Sequence, residues 1–306
     1  MSQAPSDDLS RAPSSQTKAP FGRLAVLGLG QLGGSLALAG RAAGLFDDIV
    51  GFGRNPDSLA RAVALKLADR TTTSAAEAVQ GATTIVLATP LRSIPAVVDA
   101  MRPGLDPDAL IVDVGSVKGT AVRDIEARLP ESVTFVPCHP LAGTERFGPE
   151  AATATLFQGR RCIVCPTDRT SAAGLARATS LWTSLGAQVI TMPGDLHDRV
   201  MAAVSHLPHV SAFALAGALG DLPPALAEAA RALPTTSLRD TSRVAASSPA
   251  MWRDIMLDNR AEVVPLIDRL VACVQELRAA VAAGDAARIE KLLVAGKNGR
   301  DRFSGG

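Results

Sequence analysis

The 306-residue chain has no tyrosine, and aromatic residues make up only 3% of it while hydrophobic residues make up 47%. Its core must therefore be aliphatic and alanine-rich, which suits tightly packed helices. Neither sign of charge is in excess: 31 basic and 30 acidic side chains give a formal net charge of +1. Nucleic-acid binders usually show a basic excess or stripe, so no nucleic-acid partner is expected. Cysteine is scarce, with four residues: Cys138, Cys162, Cys165 and Cys273. Cys162 and Cys165 form a C-x-x-C, but in a run that reads as a strand, where positions i and i+3 face opposite sides. Two buried thiols are expected there rather than a zinc or redox site. No apolar run reaches the roughly 18 residues of a membrane span. Residues 1–20 are rich in Ser, Pro and Gln and lack the roughly 7–15-residue apolar core of a secretory signal. They read as a disordered tail. The protein is expected to be soluble and cytoplasmic, with no membrane partner.

What is present divides the rest into two domains, 21–192 and 193–306. Leu24-Ala25-Val26-Leu27 is a short β-type run, followed directly by Gly28-Leu29-Gly30-Gln31-Leu32-Gly33 and a helical segment. This is G-x-G-x-x-G between strand and helix, the context in which it binds a dinucleotide. Gly28 permits the tight turn, Gly30 lets the backbone approach a pyrophosphate, and Gly33 lets helix and strand pack closely. The helix N-terminus offers free N–H groups to the phosphates. A second strand, 48–52, ends in Gly53-Arg54-Asn55, where an acid would bind the ribose 2′-OH of NAD. Its absence, with Arg54 able to pair with a 2′-phosphate, tilts the cofactor from NAD toward NADP. Arg54 as a solvated loop cation, with NAD still bound, is the alternative.

Further strands are read at 84–88, ending in Thr89-Pro90, and at 110–114, ending in Gly115-Ser116-Val117-Lys118. Alternation with helices at 56–68 and 95–101 implies a parallel sheet with right-handed crossovers. A run at 132–136 reads as another buried strand, leading to Pro137-Cys138-His139-Pro140-Leu141-Ala142-Gly143-Thr144-Glu145. Two prolines fence His139 at the strand end, and a histidine suits proton transfer near neutral pH. Thr89, Asp113, Ser116, Lys118 and His139 all fall at strand ends, so they should meet in one crevice. On position alone each could equally be a turn or cap residue.

After Pro193-Gly194 the pattern becomes Ala/Leu-rich and helical, without clear strands. Residues 196–219 read as one long helix kinked at Pro208. His206 and His209 share a face of it, but two histidines are too few ligands for a metal. Gly284 and Asp285 read as a break and an N-cap before a last amphipathic helix over 285–299. A largely apolar helical domain of this kind is expected to bury its surface in a homodimer.

Gly28-Leu29-Gly30-Gln31-Leu32-Gly33-Gly34-Ser35, Asp113-Val114-Gly115-Ser116-Val117-Lys118, His139-Pro140-Leu141-Ala142-Gly143-Thr144-Glu145, His197-Asp198-Arg199 through Ser205-His206-Leu207-Pro208-His209, and Arg239-Asp240-Thr241-Ser242-Arg243 through Met251-Trp252 occur in this order. Together they resemble the prephenate/arogenate dehydrogenases of tyrosine biosynthesis, over about residues 21–270. The resemblance implies a Rossmann-type α/β domain followed by an all-helical dimerisation domain. It makes His139 the catalytic base and Ser116 the residue that orients it. Lys118 and Arg243 would bind substrate carboxylates, Ser205, His209 and Trp252 would lie near the substrate side chain, and Glu145 at the site entrance. Gly28, Gly30, Gln31, Leu32, Gly33, Arg54, Thr89, Pro90 and Asp113 would bind the cofactor. The implied substrate is prephenate or arogenate. No ACT domain after about residue 300, and no chorismate mutase domain in front, are expected.

The competing readings are a 3-hydroxyacid-type dehydrogenase and a non-catalytic nucleotide-sensing dimer. The first places a catalytic lysine in a helix, yet no lysine lies between Lys118 and Lys291.

Overall fold

The computed structural model describes residues 19–143, 146–233 and 235–303. Residues 1–18 of the expected tail, and Glu145, lie outside the described residues. Six strands form a parallel sheet: β1 (Arg23–Leu27), β2 (Asp48–Phe52), β3 (Arg70–Thr72), β4 (Thr84–Leu87), β5 (Leu110–Asp113) and β6 (Thr134–Val136). Their order is β3-β2-β1-β4-β5-β6. Helices α1 (Gln31–Ala42), α2 (Pro56–Ala64), α3 (Ala75–Val79), α4 (Ile94–Met101) and α5 (Gly119–Glu126) cross between them. The short β3 and α3 are missing from the sequence reading, because three and five residues cannot display a period. Alternating side chains give the sheet a core on each face. Leu24 and Val26 join Leu36, Val112 and Trp182, while Ala25 and Leu27 join Ile85, Leu87 and Met101.

The order reverses between β1 and β4, and a crevice opens outside their carboxyl ends at such a point. Gly28 takes a left-handed φ of +110°, and a Cβ there would lie 2.5 Å from the Ala88 carbonyl oxygen. A Cβ on Gly33 would lie 2.1 Å from the Gly28 carbonyl oxygen, whereas one on Gly30 meets nothing within 4 Å. Gly28 and Gly33 therefore hold the turn together, while Gly30 faces open space.

The sheet does not continue to His139, as a single-sheet reading expects. β6 stops at Val136, before Pro137, which has no N–H to give a ladder. The chain resumes as β7 (Cys138–Pro140) in a second sheet, β7-β8-β9, with β8 at Arg161–Val164 and β9 at Gln188–Thr191. β7 is an edge strand, antiparallel to β8, and so tolerates Pro140. Helix α6 (Ala172–Ser184) covers this region. Cys162 packs on the Trp182 side and Cys165 against Met201, so the two thiols are buried on opposite faces, as expected.

Past Thr191 every regular element among the described residues is helical: α7 (Gly194–Met201), α8 (Leu207–Gly220), α9 (Pro224–Arg231), α10 (Thr236–Ser242), α11 (Pro249–Asp258), α12 (Arg260–Ala282) and α13 (Ala286–Phe303). A π-turn over Ala202–His206 joins α7 to α8. The expected kink takes this form because Pro208 cannot donate to the preceding turn, and a widened turn absorbs the fault. By length and composition the continuous helix Gly194–Gly220 could cross a membrane, unlike the expectation from apolar runs. Its first turns nonetheless carry Asp195, His197, Asp198 and Arg199, with His197 and Asp198 buried. Asp285 caps α13 by accepting from the Arg288 amide at 3.0 Å. Leu226, Leu233, Val274, Val281 and Leu293 lie exposed on the single chain.

The glycine geometry makes two substitutions diverge. Gly33→Ala must displace backbone and is expected to cost about 1–3 kcal/mol, the usual range for overpacking. Gly30→Ala should leave the melting temperature near wild type, and thermal melts of both variants check the contrast.

Candidate active site

β7 carries His139 at the edge of the second sheet, against the end of the parallel one. The Asp113 carboxylate at the end of β5 fixes this position by accepting from the Cys138 amide at 2.9 Å. His139 is buried, and its Nδ1 lies 2.8 Å from Nε2 of His197 on α7. Nδ1 of His197 in turn lies 2.8 Å from Oδ1 of Asp198. Asp198 also accepts from the backbone amides of Lys118 at 2.8 Å and Gly119 at 2.7 Å. Burial pushes the Asp198 carboxyl up, but these hydrogen bonds from His197, Lys118 and Gly119 outweigh it and hold the group below its ordinary value. Burial, then the neighbouring His197, Lys118 and His206, hold the His139 imidazole well below the usual histidine range.

The π-turn and the first turn of α8 present the other two histidines. Burial pushes His206 down to about 4. Asn259 donates to its Nδ1 at 3.1 Å and to the Asp198 carbonyl at 2.9 Å. His209 stacks on Trp252 with ring centroids 3.6 Å apart, and His206 meets the same indole edge-on at 5.8 Å. His209 Nδ1 donates to the Ser205 carbonyl at 2.9 Å, and burial lowers its pKa against that bond. All four histidines of the chain thus fall in one cluster. His197, Asp198 and Asn259 are the members to which the sequence reading gives no role. His206, which the sequence reading sets aside only as a metal ligand, is part of the hydrogen-bonded core of the cluster.

Three expectations need correction. Among the described residues no hydrogen bond joins Ser116 to His139; His197 holds the imidazole instead. Lys118 does not reach toward a substrate: it is fully buried, its ammonium paired with Asp113 and donating to the Cys138 carbonyl at 2.7 Å. A lysine this deep persists only when paired. Asp113 is likewise committed inward, accepting from Lys118, the Cys138 amide and the Gly115 amide, and so is turned away from any cofactor. Arg243 starts a 3₁₀ turn, is exposed, and makes no hydrogen bond or ion pair with any described residue. Its charge is felt at His209, which puts a cation beside the Trp252–His209 stack. Trp252 is buried with its indole N–H unpartnered. Ser205 lies on the same π-turn, half-buried.

The nucleotide crevice fits its expected occupant. Gly30 leaves open space at the start of α1, whose first turn carries no acid. Thr89 Oγ1, in the wall opposite Gly28, is a buried hydroxyl with no partner. Leu32 packs onto the core, Pro90 is exposed beside Thr89, and Arg54 is exposed at the end of β2. Gln31 approaches Gly143, which brings the crevice next to the His139 loop: a Cβ on Gly143 would lie 3.3 Å from its Oε1. Among the described residues no group of three or more His, Cys, Asp or Glu side chains is arranged to hold a metal.

A family model described as the nucleotide-binding domain of prephenate dehydrogenase matches residues 36–191, and one described as the dimerization domain of prephenate dehydrogenase matches 193–295. The chain belongs to the prephenate dehydrogenase family. It is 37% identical to the cyclohexadienyl dehydrogenase of Zymomonas mobilis, over 87% of this chain and 90% of that one. It is 30% identical to the prephenate dehydrogenase of Bacillus subtilis, over 90% of this chain and 74% of the relative. The crystal structure of the A. aeolicus prephenate dehydrogenase with hydroxyphenyl propionate and NAD+ matches with a TM-score of 0.83 and 32% identity, over 95% of this chain and all of that one. The Rossmann-type α/β domain followed by a helical region is therefore the fold of a prephenate dehydrogenase.

The buried Lys118–Asp113 pair makes a stability prediction for this family member. Lys118→Met leaves a buried carboxylate uncompensated, a change that costs about 3–5 kcal/mol. A lowered melting temperature is expected; a stable variant with only a raised substrate KM would restore Lys118 to the substrate site.

Proposed function

We propose that the protein catalyses the oxidative decarboxylation of prephenate to 4-hydroxyphenylpyruvate. The observation that carries this reading is His139: buried, held neutral, tied through Nδ1 to His197, with Nε2 bonded to no described residue. Such a nitrogen is a base for a hydroxyl proton. Prephenate has a C4 hydroxyl and two carboxylates. His139 takes the hydroxyl proton as C4 becomes a ketone. The ring carboxylate then leaves as CO₂, its bonding pair flows into the ring, and the proton returns from His139 to the new phenolate oxygen. A nicotinamide nucleotide, when bound along Gly28, Gly30, Gly33 and Thr89, supplies the acceptor for the C4 hydride. Arg243 offers an unpaired guanidinium for a carboxylate, with the bidentate geometry that lysine lacks. Trp252 and His209 form a flat wall with an unused N–H beside it. Ser116, though unbonded to His139, lies in the loop after β5 beside the crevice.

In this reading residues from 193 onward form the homodimer, and the exposed Leu226, Leu233, Val274 and Val281 are covered by the second copy. The cofactor is read as NADP rather than NAD, since Gly53 leaves no acid at the end of β2 and Arg54 is free to meet a 2′-phosphate. NAD, named with the A. aeolicus relative, is the alternative.

Initial rates with prephenate and with arogenate, each with NAD and NADP, test the reading; no turnover with any pair would overturn it. His139→Asn should lower kcat by about 10²–10⁴-fold, the usual contribution of a general base, with cofactor affinity unchanged. In the same assay Arg243→Ala should chiefly raise KM, since it binds carboxylate in ground and transition states alike. The base works unprotonated and its pKa is depressed, so kcat/KM should stay flat as pH falls past the ordinary histidine value of ~6.5 and drop only below it.

Arg54→Asp adds an acid able to take a 2′-OH. It should move the kcat/KM ratio toward NAD; a wild type already preferring NAD, with a variant that merely loses activity, would remove Arg54 as the discriminator.

A further inference from the structure

The proposed chemistry needs one tautomer of His139, with the proton on Nδ1 and the lone pair on Nε2. Nothing in an isolated imidazole secures this, and the structure supplies a chain of acceptors that does. It begins at Asp198, whose carboxylate takes two backbone amides and lies 2.8 Å from His197 Nδ1. An ionised carboxylate has no proton to give, so His197 Nδ1 must be the donor. A neutral imidazole that donates through Nδ1 can only accept through Nε2. That Nε2 lies 2.8 Å from His139 Nδ1, which must therefore carry the proton. His197 is fully buried, so no water replaces either bond.

We propose that His197, backed by Asp198, is a positioning residue that fixes His139 in the Nδ1–H tautomer and so leaves Nε2 free as the base. This rests on the reading of His139 as the base of the proposed reaction. His197 touches neither substrate nor cofactor in this assignment, and no proton passes along the chain. The substrate proton sits on His139 Nε2 while the carboxylate departs, then returns to oxygen. During that interval the imidazolium keeps its Nδ1–H bond to His197, and the Asp198 charge lies one ring beyond. The arrangement works as a carboxylate does behind the histidine of a serine-protease triad, with a second imidazole interposed. Other charged or titratable groups around His139 are Lys118 and Asp113 behind Cys138, and His206 on the π-turn. Asp113 and Lys118 bond the Cys138 backbone rather than the ring, so the choice of tautomer falls to His197.

The experiment pairs kinetics with nitrogen NMR on full-length protein labelled at the imidazole nitrogens. In the wild type, His139, assigned by its loss in His139→Asn, should give the Nδ1–H, bare-Nε2 pattern. His197→Phe keeps a ring of similar size but offers no acceptor. It should lose the single-tautomer pattern and drop kcat by about 10²–10⁴-fold, up to the whole contribution of a general base, with substrate KM and cofactor Kd near wild type. His197→Gln returns an acceptor oxygen at similar reach and should recover at least about tenfold of that loss. Wild-type His139 in the Nε2–H form would overturn the proposal, as would a folded His197→Phe with near-normal kcat. If His197→Phe does not fold, the wild-type spectrum alone decides. Failure of the wild type to turn over prephenate or arogenate would sink the proposed function instead, and the tautomer would still be read from the spectrum.

Discussion

The carboxylate of Asp198 is the contact on which the site depends. It sits on the second turn of α7, yet two of its hydrogen bonds go to the amides of Lys118 and Gly119, at the start of α5 in the parallel-sheet half. Those amides belong to the unsatisfied first turn of a helix, where a negative charge is favoured. A side chain of one half thus caps a helix of the other, and its remaining lone pairs face His197. The backbone carbonyl of the same residue takes Asn259, which also holds His206. One residue therefore sets the placement of two imidazoles and of the helical half that carries them. Were α7 to slide, the amides and Asn259 would lose Asp198, and His139 would lose His197, together.

A second constraint works from below. Lys118 and Asp113 form a buried pair whose surplus hydrogen bonds go to the backbone on either side of Cys138. Two charges taken out of water seldom repay their desolvation through attraction alone. Here they fix where the chain crosses from the parallel sheet to the second one, just where Pro137 has ended the ladder. His139 is the next residue, so its position is pinned through backbone as well as through the bond of its ring to His197.

Much of this could be read in the sequence, and the failures have identifiable causes. The glycine turn, the strands β1, β2, β4 and β5, the helical second half, the break at Pro208 and the cap at Asp285 follow from local chemistry. The short β3 and α3 do not, since they are held by the sheet and not by their own pattern. The second sheet was hidden because β7 and β8 are separated by a loop of 20 residues, and pairing across it is a tertiary event. His139, His209, Trp252 and Arg243 could be singled out by their motifs. The inward turn of Lys118 and Asp113 could not: residues at strand ends are as able to bridge two segments as to meet a ligand. His197 and Asp198 fall in a motif that gives them no role, because adjacent residues on a helix do not announce that one will reach back to the other's ring.

The gathering of every histidine into one buried cluster also shapes the rest of the molecule. Histidine is the side chain by which most proteins change charge between mild acidity and neutrality. Here burial lowers the pKa of three of the four, His139, His206 and His209. The outer surface is left to arginine, lysine, aspartate and glutamate. With 31 basic groups set against 30 acidic ones, the chain as a whole is close to electrical neutrality. Placing these histidines inside therefore blunts, rather than concentrates, the protein's response to a mild fall in pH.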